Sequence, residues 1–444
     1  MVLLLLLVAL YIPLLAAHAN RLWLVALPLL VFWMPAPFVL FSYAPLSGLS
    51  LVEVLVGLAL FMQAIRVVTS RDDVQPLRVK SFPWPGFLLL FVGAATTYLF
   101  AYHGGGELPV LRVVVLLPFA MGLLVFVAVE DARDALRLLW LLVVSATVLG
   151  IVFLLGSRGV GPLGSSDYAA GTGRASLSLS LPYLGYLVIN PASASEKFAM
   201  AFSAAWFLLL TSASVSRLLA AGAAACVFVA VVVSAQGRAG LIACVLSVVL
   251  FGLWAMRRGS PRRIFALSAT LAGLAATLGF ALYLASRSES AAYAARLLDL
   301  LAAPRSDANL SYRIQFWRQA FGIAVSHPLG VGLFSPPYGS ASTWLAHNLW
   351  LFAALSFGWL GLAGLVLILV AFGRTFIGGL RSADPDGVGL SVLGLVLLLN
   401  VLLTSITSPL VWEPYSAGLI WIPLWIAFAG VVRCAHQSAE LRSR

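Results

Sequence analysis

Long apolar runs separated by short polar connections fill the chain from Val2 to Val432. A helix rises 1.5 Å per residue, so roughly 17–25 apolar residues suffice to cross a hydrocarbon layer about 30 Å thick. Runs of that length fall near 2–18, 22–41, 50–68, 84–102, 110–129 and 136–156. Later ones fall near 198–215, 218–234, 239–256, 264–284, 348–373, 388–407 and 412–432. The ten-residue alternation of a transmembrane barrel is absent. The pattern therefore predicts an all-α polytopic membrane protein with about 12–13 transmembrane helices. Two stretches depart from it. LSLSLPYLGYLVIN, 177–190, fits either a further crossing or a re-entrant piece broken at Pro182, which protein would have to cover. The run from Leu349 to Phe372 would measure about 36 Å, so it must tilt or project outward. The opening MVLLLLLVALYIPLLAA lacks a basic n-region and reads as a first or anchoring helix rather than a cleaved signal.

The longest polar connection is 285–347. Helices are predicted over 290–303 and 311–326, and in the second Ile314, Trp317, Phe321 and Ala324 make one apolar stripe. Such a helix lies along the membrane surface or packs on the bundle, with Arg313 and Arg318 beside the stripe. Pro328 ends it, and glycines 330, 332 and 339 shape the turns that follow. The organisation expected is a transmembrane bundle over 1–284, a helical cap over 285–347, and further membrane helices with a tail over 348–444. The cap is too short and too poor in apolar residues to hold its own core, so the three form one integrated membrane domain.

Charge sets the orientation. Only 10% of residues are charged, against roughly 25% in soluble domains, and the balance is +11. In a membrane protein such an excess reflects basic cytoplasmic loops rather than nucleic-acid binding. RRGSPRR at 257–263 is the clearest such loop, with Arg66, Arg71, Arg78, Lys80, Arg374, Arg381 and the tail residues Arg433, Arg442 and Arg444 in support. The opposite, external side then receives 103–109, 157–175, 234–238, 285–347 and 408–413. Thirteen spans put the N-terminus outside; twelve put both ends inside. The three cysteines show no CxxC spacing, which argues against a disulfide framework or structural zinc.

Candidate chemistry gathers on the external side. Arg238 stands between two apolar runs, where an arginine facing lipid costs roughly 2.5–3.5 kcal/mol. It reads as an interfacial anchor or an anion contact, with Gly237 and Gly240 allowing close approach of a ligand. Arg313 and Arg318 are separated by about 140° of helical turn, so only one can serve a given small ligand. His347, beside Asn348, has the near-neutral pKa suited to deprotonating a hydroxyl. His103, with Glu107 and Arg112, forms a second cluster; its HGGG resembles a hydrolase oxyanion loop, but no G-x-S-x-G elbow exists. The external acids Glu107, Asp167, Glu196, Glu289, Asp299, Asp307 and Glu413 form no metal-ligand pattern, so no metal or other cofactor is expected.

Three segments together resemble the polysaccharide ligase and polymerase superfamily that contains O-antigen ligase. VVVSAQGRAGLIA resembles the family's span ending in a Ser-Arg-Gly-like turn, with Gly237 in place of the usual serine. YRIQFWRQAFGIAVSHPLGVGLFS resembles its Arg…Trp…Pro-Leu-x-Gly-x-Gly pattern, and AHNLWLFAALSFGWLGLAG its His-Asn motif before a glycine-containing helix. The resemblance implies a GT-C-type membrane glycosyltransferase of the bacterial inner membrane, acting on the periplasmic face without a metal. The donor implied is a polyprenyl diphosphate-linked glycan, and the acceptor lipid A-core for a ligase or another lipid-linked glycan for a polymerase. Arg238 and Arg313 would match the diphosphate-binding arginines and His347 the general base; Arg112, with Arg174, would complete the donor site. Arg318, His103, Asn348 and Glu413 would be supporting residues. The single sizeable cap leans toward ligase. From another class, a transporter or flippase shares many helices and interior polar groups but should show repeated halves and a central charged path.

Overall fold

The computed structural model describes residues 55–61, 81–101, 115–156, 177–181, 185–189, 191–235, 237–257, 308–332, 348–382, 384–406 and 418–443, with isolated positions at 53, 268, 271–272, 275 and 279. The expected spans 2–18 and 22–41, nearly all of 264–284, and the first cap helix lie outside these residues. The described chain forms α1 (Trp84–Thr96, running into a π turn, Thr97–Ala101), α2 (Leu117–Ala128) and α3 (Ala132–Gly156). A hairpin of β1 (Leu177–Leu181) and β2 (Gly185–Ile189) follows, then α4 (Pro191–Thr211), α5 (Val215–Ser234) and α6 (Arg238–Arg257). Last come α7 (Ala308–Ser326), α8 (Leu349–Gly379), α9 (Pro385–Ser405) and α10 (Gly418–Ser443). Among the described residues five helices, α3, α5, α6, α8 and α9, are long and apolar enough to cross a membrane. The chain is an all-α polytopic membrane protein.

Residues 177–181 and 185–189 form two strands and not a single crossing helix. Leu177 pairs with Ile189 and Leu181 with Gly185 in an antiparallel hairpin. The Leu-Ser-Leu-Ser-Leu alternation has the period of a strand.

Helix ends follow local chemistry. Asn348 caps α8, its Oδ1 accepting from the backbone N–H groups of Trp350 and Leu351, both at 3.0 Å. Asp384 caps α9 by accepting from Asp386 and Gly387, and Ser214 caps α5 by accepting from Arg217. Glycine allows the closest packing. A Cβ on Gly93 would lie 2.5 Å from Gly361 N, and one on Gly364 2.5 Å from Gly86 O, so α1 and α8 meet backbone to backbone. Gly122 leaves room for Trp425, which stacks on Phe82 at 5.1 Å between centroids.

The contacts fix helix directions. Near the start of α9, Gly389 faces Phe207 of α4 and Trp254 of α6. Toward its end, Asn400 Nδ2 donates to Ser203 and Ser247 at 3.0 and 2.9 Å. Hence α4 and α6 run parallel to each other and antiparallel to α9. Their first residues lie at the end of the bundle where Asn348 Nδ2 donates to Ile406 O at 3.2 Å. At the other end Arg433 is a buried staple rather than a solvated tail charge. Its Nε and Nη2 donate to the carbonyls of Val129 and Phe126, at 2.7 and 2.8 Å, closing the C-terminus of α2.

Candidate functional site

α8 is too long to cross straight, and it breaks at Gly358, whose φ of 68° lies in the glycine-favouring region. The break opens the hydrogen bond that Trp359 N would make to Leu355 O. The segment after α7 fills both vacated positions: Val331 N donates to Leu355 O at 2.7 Å, and Trp359 N donates to Pro328 O at 3.0 Å. Both groups of the lost bond, Leu355 O and Trp359 N, are thereby met, as an apolar surrounding demands. Gly330 and Gly332 also have φ of 86°, and a Cβ on Gly330 would lie 2.7 Å from Gly358 N. The Pro-Leu-x-Gly-x-Gly segment of the cap is thus spliced into a membrane helix, and Trp359 Nε1 donates to Ala324 O at 3.0 Å beside it.

At this splice α7 divides its expected stripe between two faces. Its contact face is built on Ala320 and Ala324, packed with Val331 against Ala354 and Leu355, while Ile314 and Phe321 point outward, Phe321 being 55% exposed. Small alanines let α7 approach α8, so the large apolar side chains are left for the surroundings. Arg313 is half-buried and Arg318 exposed, as their angular separation requires.

Arg238 opens α6 at the bundle end that holds the Asn348 cap, and it is half-buried. The neighbouring glycines serve the fold and not an incoming ligand: a Cβ on Gly237 would lie 2.0 Å from Ser195 Cβ, and one on Gly240 2.1 Å from Ser195 Oγ. Ser195 Oγ donates to Gly237 O at 2.9 Å, which clamps the first turns of α4 and α6 together. Glu196 and Lys197 follow Ser195 and are each only 5% exposed. Sequence reasoning treated Glu196 as one external acid among several and began that span at 198, missing the buried Ser-Glu-Lys step. The available signal was a Glu-Lys pair abutting an apolar run, opposite a Gly-Arg-x-Gly turn. Arg238, at the first position of α6, brings a cation to a helix N-terminus, a place suited to an anion.

The structure gives Asn348 a capping role, which fixes the backbone immediately after His347. His347, Arg112, Arg174, His103 and Glu413 lie outside the described residues. Among the described residues no three histidine, cysteine or acidic side chains gather as a metal site would require.

No curated protein matches the chain. Residues 222–366 match a family model described as O-Antigen ligase. The matched stretch runs from within α5 through α6 and α7 past the break in α8, so it contains Arg238, Arg313, His347 and the splice. At the family level this supports ligase- or polymerase-type glycan transfer by a multi-pass membrane enzyme. Over residues 222–366 the chain is thus similar to the O-antigen ligase family.

Proposed function

We propose that the protein is an O-antigen ligase of the bacterial inner membrane, transferring a glycan from polyprenyl diphosphate to a sugar hydroxyl of lipid A-core on the periplasmic face. The observation that carries this reading is the unbroken family match across Arg238, Arg313 and His347. The electropositive start of α6, at the bundle end marked by the Asn348 cap, supports it. In this reading Arg238, Arg313 and Arg112 hold the diphosphate, with Arg174 at the edge of the donor site. Arg318, His103, Asn348 and Glu413 are supporting residues of the site. His347 takes the proton of the acceptor hydroxyl as its oxygen attacks the anomeric carbon. The bond from that carbon to the phosphate oxygen breaks, the diphosphate leaves with the electron pair, and configuration inverts. Planar guanidinium groups match phosphate oxygens and stabilise the charge growing on the leaving group.

The test is reconstitution in liposomes with preformed lipid-linked donor and lipid A-core. The wild type should cap the core, and His347→Ala should transfer at least about 100-fold more slowly while still binding donor. Arg238→Ala should raise the donor KM. Elongation of the donor without core capping would make the protein a polymerase. Donor crossing the bilayer with no transfer at all would sink the enzyme reading in favour of a transporter.

A further inference from the structure

The splice has a third participant. Thr97 is buried where α1 gives way to its π turn, and its hydroxyl lies against the carbonyls of Leu329 and of Gly93, the latter at 2.9 Å. α1 is itself immobilised on α8 by the backbone contacts of Gly86 with Gly364 and of Gly93 with Gly361. Thr97 Oγ1 also stands 2.9 Å from where a Cβ on Gly330 would sit, a position 2.7 Å from Gly358 N, so it borders the splice directly. We infer that Thr97 is a positioning residue for the transfer reaction: by holding Leu329 in the α8 break it fixes α7, which bears Arg313, relative to the Asn348-capped start of α8.

The inference deepens the ligase reading and rests on it. The contact of α7 with α8 is built on the small residues Ala320 and Ala324 with Ile323, and the hydrogen bonds of residues 328–331 just after its C-terminal end tie its register to the break. Arg313 lies eleven residues before Ala324, so a small rotation at the splice becomes a larger displacement at the guanidinium. A displacement of about 1 Å in a positioned group costs up to about 100-fold in rate. Donor affinity, spread over several cations, changes less than the stabilisation of the leaving diphosphate.

Thr97→Val keeps the shape and removes the hydroxyl; Thr97→Ser restores it. Trp359→Phe keeps a ring and removes the bond to Ala324 O. In the liposome assay Thr97→Val should lower kcat about tenfold or more, with donor KM within about twofold, and Thr97→Ser should stay within about twofold of wild type. Trp359→Phe should lower kcat about threefold. A second readout needs no activity: nitroxides at the exposed positions Gln319 and Ile406, with Cys226, Cys244 and Cys434 replaced by alanine, report the spacing of α7 and α9. That distance distribution should broaden in Thr97→Val and stay narrow in Thr97→Ser. If folded Thr97→Val or Trp359→Phe keeps both wild-type kcat and a narrow distribution, the positioning role is overturned. An inactive wild type would remove the ligase reading, and the distance distributions would then judge the splice alone.

Discussion

The bundle admits polar groups to its interior in two ways. At the α8 break, backbone groups leave their own helix and are met by the backbone of residues 328–331. At the meeting of α4, α6 and α9 all three helices stay intact. There Ser203 and Ser247 each donate to a carbonyl four residues back, at 2.9 and 2.7 Å, and both accept from Asn400 Nδ2. Asn400 Oδ1 has no partner among the described residues. The first arrangement is specified by glycine and tolerates no side chain. The second is specified by side chains and is incompletely satisfied, so it can lose a member cheaply. Backbone splicing therefore gives geometric definition where the cap joins the bundle, and side-chain knotting gives adhesion where helices merely pass.

Substitutions can break this contrast. The largest effect is expected from Gly358→Ala. The new Cβ would lie 2.7 Å from Leu329 C and Pro328 O, at a φ that L residues rarely adopt. Strain and overlap together should cost about 3 kcal/mol or more, read as a shift in denaturant titration in mixed micelles. Wild-type stability in that variant would mean that residues 328–331 do not occupy the break. Gly237→Ala comes next. Its Cβ meets Ser195 at 2.0 Å, which should cost about 1–3 kcal/mol and, by displacing the start of α6, raise the donor KM more than it lowers kcat. An unchanged melting midpoint would show that Ser195 is not clamped there. Asn400→Ala should matter least. Interhelical hydrogen bonds in membranes average about 0.6 kcal/mol, and the change also removes a buried unsatisfied oxygen. Transfer should stay within about twofold; a loss larger than that of Gly358→Ala would overturn the contrast.

Much of the membrane architecture was legible because its causes are local. Apolar length marked α3, α5, α6, α8 and α9, whereas the break of α8 at Gly358 was not read from its excess length, which pointed only to tilt or outward projection. The strands at 177–181 and 185–189 were not specified although their period-2 alternation is plain, because apolar content alone leaves a crossing and a re-entrant piece both open. For α7 both a membrane-surface and a bundle-packed placement were open: Ala324 of the expected stripe packs on α8, while the large residues Ile314 and Phe321 face outward. In a membrane protein the surroundings also accept them, and the neighbouring helix selects small residues.

At the candidate site the sequence by itself determined which residue types are present: arginines beside apolar runs, a histidine before an asparagine cap, and glycines at positions 237, 240, 330, 332 and 358. Only the tertiary structure decided what those glycines are for. Gly237 and Gly240 admit Ser195, and Gly330 and Gly358 admit each other's strands of backbone. Arg433, one of several basic tail residues by sequence, became a buried helix staple because the carbonyls of Phe126 and Val129 come within its reach. A glycine announces only that something must come close. What comes close is settled by helices far apart in the chain, whose packing is a long-range property that no local pattern encodes.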